Sequence, residues 1–337
     1  MATDASSLVA GRNRRVVLIV ALAALVAAAA VVGATVLQSR GERTTVPGAV
    51  TTPKPGRPPL VLELGLRSDP EARALAQAQT LYVKDHEPAQ AAAIFRRYHS
   101  LEAQLGLAFT AWRGPSSLAG VRTLVAAHPN DPAGALNLGW ADYWAGRNAD
   151  AAAAWQETAR RWADTPYGVD AEDALHGGPT GLPPLLLGLA PPPRSISSLP
   201  ARQELAALKA AAARPDEHAK LLYGYTLWSL ERPLSAERQF AAAARLAPHD
   251  VVAQTAAAVG LFSKGNPVRA FGRLGPLTAV FPHSAVVEFH LGVLLLYIDK
   301  PVKSAEHLRA AAADAPGSPY AKAARTLLAS LGRNRPK

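Results

Sequence analysis

Residues 216–249 read DEHAKLLYGYTLWSLERPLSAERQFAAAARLAPH, residues 250–283 read DVVAQTAAAVGLFSKGNPVRAFGRLGPLTAVFPH, and residues 284–317 read SAVVEFHLGVLLLYIDKPVKSAEHLRAAAADAPG. Aligned without a gap, the three units put Pro248, Pro282 and Pro316 at one position, 34 residues apart. Gly224, Ala258 and Gly292 share a second position, and Leu227, Leu261 and Leu295 a third. Ala236, Ala270 and Ser304 share a fourth, Phe240, Leu274 and Leu308 a fifth, and Ala243, Leu277 and Ala311 a sixth. Small residues on two successive helices let their backbones approach closely, and the larger Phe or Leu fills the space between pairs. Proline cannot continue a helix interior, so it stops the second helix before the next unit. A helix pair this short cannot bury its apolar face alone, so neighbouring pairs must stack.

The same frame extends toward the N-terminus. DPAGALNLGWADYWAGRNADAAAAW (131–155) has Leu138-Gly139, Gly146, Ala151 and Trp155 at the matching places, between Pro132 and Pro166. An earlier unit carries Tyr82, Ala91 and Phe95, and Leu105-Gly106 with Pro129 mark another, slipped by one residue. This pattern resembles the tetratricopeptide repeat (TPR) family, in its bacterial membrane-anchored form. The resemblance implies an all-α, TPR-like right-handed helical solenoid, here preceded by one transmembrane helix and a Pro-rich stalk. Lys220, Gln254 and Glu288 depart from the family at an early position of the first helix, where a bulky apolar residue is usual. Leu227, Leu261 and Leu295 stand where the family has a tyrosine.

The expected organisation follows from these registers. N-terminal TPR-like repeats occupy 67–167, a degenerate repeat 168–215, and three 34-residue repeats 216–318. A capping helix over 319–333 covers the last open apolar face. Within the degenerate repeat, Val169–His176 and Ala201–Ala213 read as helices. The stretch between them, GGPTGLPPLLLGLAPPPRSISSLP (177–200), is too rich in Gly and Pro to be one. It is an insertion in one continuous solenoid, or alternatively a linker between two separate helical arrays.

Ahead of the repeats, Val16–Leu37 is a run of 22 residues without a charge. A helix of that length, at ~1.5 Å per residue, spans a hydrocarbon core of about 30 Å. The run is longer than the ~7–15 residues of a cleaved signal's apolar region, which favours a signal anchor over cleavage at Val32-Gly33-Ala34. Arg12, Arg14 and Arg15 give residues 1–15 the character of a short basic cytoplasmic tail, which places the rest of the chain outside the cytoplasmic membrane. Residues 38–66 contain Pro, Thr and Gly without apolar periodicity up to Leu60, and read as a Pro-rich linker.

The formal charge is +10, unevenly placed. Residues 61–199 carry 11 basic and 14 acidic side chains, whereas 200–337 carry 18 basic and 10 acidic. A basic C-terminal half suits an anionic polymer, lipid or acidic protein, and no nucleic-acid motif accompanies it. The absence of cysteine excludes disulfides, thiolate metal sites and cysteine nucleophiles. No phosphate loop, HExxH or GxSxG occurs, so neither enzyme activity nor a cofactor is expected. His249 and His283 follow the closing prolines at turn positions, and the adjacent Glu172 and Asp173 point to different sides of a helix.

What remains is a surface. In the resembled family the first helix of each repeat lines a groove that takes peptides. The matching positions are Leu136, Trp140, Tyr143 and Trp144, then Leu221, Tyr225 and Trp228, then Phe262, then Phe289, Val293 and Tyr297. Spacings of three, four and seven put each set on one helical face. The expected function is therefore a membrane-anchored scaffold for a protein or peptide partner in extracytoplasmic complex assembly, secretion or maturation. A self-associating envelope protein and a non-catalytic subunit of an envelope enzyme are the alternatives.

Overall fold

The aspartates and prolines that punctuate the repeats start the helices. Asp69, Asp131, Asp216 and Asp250 each accept a hydrogen bond from a backbone N–H in the first turn that follows. Each satisfies a donor that the helix itself leaves orphaned. Pro70, Pro88, Pro132, Pro166, Pro233 and Pro301 stand at the first helical position, where the missing N–H costs nothing. The turn inside a pair closes in one way three times. Arg147 N–H bonds Asp142 O, Arg232 N–H bonds Leu227 O, and Lys300 N–H bonds Leu295 O, at 2.9 Å each. The residue just before the donor has a positive φ in all three: Gly146, Glu231 and Asp299. This is the six-to-one closure of a helix C-terminus.

The computed structural model describes residues 52–333 and divides them into two units, 52–177 and 178–333. Val16–Leu37, and with it the expected anchor, lies outside the described residues. Among the described residues no helix is long and apolar enough to cross a membrane, and all regular structure is helical.

The first unit holds α1 (Pro70–Val83), α2 (Pro88–Phe95), α3 (Leu101–Thr110), α4 (Leu118–Ala126), α5 (Pro132–Trp144), α6 (Asn148–Arg161) and α7 (Pro166–His176). The second holds a four-residue turn of helix α8 (Arg194–Ser197), then α9 (Ala201–Ala212), α10 (Glu217–Ser229), α11 (Pro233–Leu246) and α12 (Val251–Val259). It continues with α13 (Val268–Leu274), α14 (Leu277–Val280), α15 (Ala285–Tyr297), α16 (Pro301–Asp314) and α17 (Pro319–Arg333). Each unit has its own apolar core.

The shared repeat positions are the centre of the second core. Ala236, Ala270 and Ser304 are fully buried, as are Phe240, Leu274 and Leu308. A Cβ on Gly224 would stand 2.6 Å from the Phe240 ring, and one on Gly292 2.7 Å from Leu308. Ser304 Oγ, small enough for the same gap, donates to Gly292 O across it at 2.7 Å. In the first unit Gly139 meets the Trp155 indole in the same way. The residues that depart from the family pattern have a local use. Lys220 Nζ donates to Ala212 O at 2.5 Å and Gln254 Nε2 to Ala244 O at 3.0 Å, each capping carbonyls at the end of the preceding helix. Glu288 instead meets His307 Nδ1 at 2.7 Å.

The middle unit differs from the expected helix pair. Its second helix is broken into α13 and α14 at Gly275-Pro276, because proline removes a donor and crowds the preceding turn. Leu277 is consequently only half-buried, unlike Ala243 and Ala311 at its repeat position.

Candidate partner-binding groove

In each unit the first helix of every pair contributes to one face, and a non-helical segment of the same unit lies across it. In the first unit that segment is KPGRPPLVLEL (54–64), the end of the stretch whose composition reads as a linker. Its burial alternates: Pro58, Leu60 and Leu62 are buried, while Pro59, Val61 and Glu63 are partly exposed. Alternation with period two marks an extended chain with one face on a core. Leu60 and Leu62 belong to the core of the unit.

The helices hold this segment through its main chain. Tyr82 on α1 donates to Pro58 O at 2.6 Å, and Gln79 Nε2 to Leu60 O at 3.3 Å. Asn137 on α5 takes both faces of one peptide position, its Oδ1 accepting from Val61 N–H at 3.0 Å and its Nδ2 donating to Val61 O at 2.7 Å. Tyr167 on α7 accepts from Glu63 N–H at 3.0 Å. Burial raises the pKa of Tyr82 and of Tyr167, so both phenols stay protonated. At the start of the segment, Trp144 Nε1 donates to Pro55 O at 3.3 Å, and the Lys54 ammonium stands 4.4 Å from the centre of the Tyr143 ring.

The second unit repeats the arrangement with PTGLPPLLLGL (179–189), from the Gly/Pro-rich stretch. Pro183, Leu185 and Leu187 are buried, and Pro184 and Leu186 are partly exposed. Trp228 Nε1 on α10 donates to Pro183 O at 2.8 Å, and Tyr297 OH on α15 to Leu182 O at 3.2 Å. Lys264 Nζ donates to Pro179 O. His290 on α15 accepts from Leu186 N–H through Nε2 at 3.1 Å, and its Nδ1 faces Val286 O at 2.7 Å. That geometry fixes the neutral tautomer with the proton on Nδ1. Burial lowers the His290 pKa to about 4, opposed by the bond to Val286 O. Tyr320 on α17 has its hydroxyl beside Gly188, 3.1 Å from where a Cβ would stand.

The two sites correspond residue by residue. Asn137 and His290 are each the sixth residue of their helix, and each also bonds the carbonyl four residues back, Ala133 O and Val286 O. Tyr167 and Tyr320 are each the second residue of the last helix of their unit. PPLVLEL (58–64) and PPLLLGL (183–189) align without a gap.

The aromatic and apolar positions read from the sequence lie on these first helices, except Phe262, which stands in the non-helical stretch after α12 because that helix stops at Val259. Leu221, Trp228, Phe262, Phe289, Val293 and Tyr297 are buried, and Trp140, Tyr143, Trp144 and Tyr225 are half-buried. Trp228, Tyr297 and Trp144 hydrogen-bond the extended segment of their own unit, and Leu136 is buried in the core. Asn137, His290, Tyr167 and Tyr320 are not among the residues picked out from the sequence, and Tyr82 enters there only as a repeat position. Two signals point to them. One is the repeated Pro-Pro-Leu-x-Leu-x-Leu, and the other is the match of Asn137-Leu138-Gly139 with His290-Leu291-Gly292.

No family model matches the chain. No curated protein matches it either. Among solved structures, a similar one is the "TPR2AB-domain:pHSP90-complex of yeast Sti1", 12% identical, covering 78% of this chain and 98% of that chain, with a TM-score of 0.30. An overlap of that TM-score adds nothing to what the helix pairs themselves show.

Proposed function

We propose that the protein is a membrane-anchored, TPR-like scaffold, non-catalytic, that binds extended segments of protein partners on the face made by the first helices of its repeats. One observation carries this reading. In both units that face holds an extended polypeptide through its main-chain groups, at Val61 by Asn137 and at Leu186 by His290. A face that bonds backbone and buries every second side chain is suited to other extended chains of similar pattern. The uncharged run Val16–Leu37 supports tethering to the cytoplasmic membrane, and Arg12, Arg14 and Arg15 support a repeat region on its outer side. A role in assembly, secretion or maturation of envelope complexes fits a tethered binder.

The test is in-cell photo-crosslinking of the full chain, with the photoreactive residue placed at Tyr225 on α10 or at Trp140 on α5, both half-buried on first helices. The expected result is discrete adducts with other proteins from these positions. Adducts that form only from outer helices, for example from exposed Val302 on α16, would overturn the reading.

A further inference from the structure

The two units solve one recognition problem twice. In one the Asn137 amide and the Tyr167 hydroxyl, and in the other the His290 imidazole and the Trp228 indole, meet main-chain atoms of a segment with its first, third and fifth residues buried. Those residues are Pro58, Leu60 and Leu62 in one unit and Pro183, Leu185 and Leu187 in the other. Of the partly exposed residues between them, Pro59 and Pro184 are the same and Val61 and Leu186 differ, as do Glu63 and Gly188 just beyond. Main-chain bonds are blind to side chains, so the pattern the groove reads reduces to the positions it buries.

We infer that both grooves recognise an extended Pro-x-Leu-x-Leu segment, that residues 58–62 and 183–187 are resident occupants, and that partner proteins engage by presenting the same pattern and displacing them. This rests on the scaffold reading above and specifies the chemistry of the partner. Each resident segment is flanked by glycines that take a left-handed backbone conformation. Gly65 follows the first, and Gly177, Gly178 and Gly181, all with positive φ, precede the second. Neither segment has a neighbouring strand. Leaving the groove breaks a few side-chain bonds and no sheet ladder. A tethered occupant acts at an effective concentration on the order of a millimolar. A partner segment must therefore bind more tightly than the resident one or be tethered itself, and that requirement makes the groove selective.

Two measurements on the full chain in detergent test the inference. The first is hydrogen exchange of the unmodified protein. The amides of Val61 and Leu186 are expected to exchange through a local opening, ahead of the buried amides of α5 and α15. Exchange only together with global unfolding would make the segments permanent core and overturn the inference. The second uses a fluorescent synthetic peptide, PPLVLELG (residues 58–65), against a peptide of the same composition in scrambled order. Leu60→Glu with Leu62→Glu should open the first groove and raise affinity for the ordered peptide at least tenfold over the unmodified chain. Asn137→Ala added to that variant should remove the gain. Equal binding of both peptides, or none to a variant whose helices remain folded, overturns the inference. Should the double substitution unfold the unit, the exchange measurement decides. Exchange of segments between differently labelled copies of the chain, without peptide capture, would make the occupant a second copy and also overturn it. If both peptides fail while groove positions still crosslink to other proteins, the motif falls and the scaffold reading stands.

Discussion

At the scale of single residues, the pair Asn137 and His290 shows one task done by two chemistries. Both accept from a segment N–H and both tie back to the carbonyl one turn earlier. Only His290 titrates. Its folded pKa lies near 4, below the ordinary 6.5, because burial disfavours the cation. A depressed histidine binds its proton first in the unfolded state. Stability is therefore complete above pH 6.5 and declines as the pH falls toward 4, by about 3 kcal/mol at most. His290→Asn copies the other unit and should flatten this dependence while keeping the acceptor. Urea denaturation of both proteins at pH 7.5 and pH 4.5 checks it; an equal loss in the two would assign the pH effect elsewhere.

At the scale of helices, the close approach within a pair depends on a small residue facing a large one. Gly224 faces Phe240, Gly292 faces Leu308, and the middle unit carries Ala258 and Leu274 at those positions. Gly224→Ala should cost about 1–3 kcal/mol, since its Cβ would overlap the Phe240 ring. Adding Phe240→Leu, which makes the middle unit's combination, should return part of the loss. A double-mutant cycle by thermal or urea unfolding measures the coupling, and additive effects would refute direct contact as the cause. This level was the most legible in sequence, because most of the small and apolar repeat positions that align are buried. Helix starts were equally legible through their aspartates and prolines. The break at Gly275-Pro276 was not, because the alignment placed Leu277 with Ala243 and Ala311 and hid the proline beside it. The groove was half legible. Its aromatic walls follow from helical spacing. Its occupants come from Pro-rich stretches that carry no helical period and gain their structure from contacts up to 115 residues away. Composition reads the first as a linker and the second as an insertion or linker, although the alternating leucines at 60, 62 and 64 and at 185, 187 and 189 are there to be seen.

At the scale of the molecule, the chain is two units with separate cores, each containing a segment that its own helices hold. The fragments 52–177 and 178–337 are therefore each expected to be helical and to unfold cooperatively on their own. A fragment beginning at Ala201, which lacks 179–190, should lose cooperativity or melt markedly lower. Circular dichroism melts of the three fragments check this, and equal midpoints for 178–337 and 201–337 would show that the segment adds no stability. In both units the extended segment comes first in the chain and the residues that hold it come later. Val61 meets Asn137 76 residues on, and Glu63 meets Tyr167 104 residues on. During synthesis at about 5–20 residues per second, the leucines of each segment wait on the order of 5–20 seconds for their last helix to be made. Each unit is thus born with an apolar extended segment uncovered, and the growing chain offers it to any chaperone before it can cover it itself.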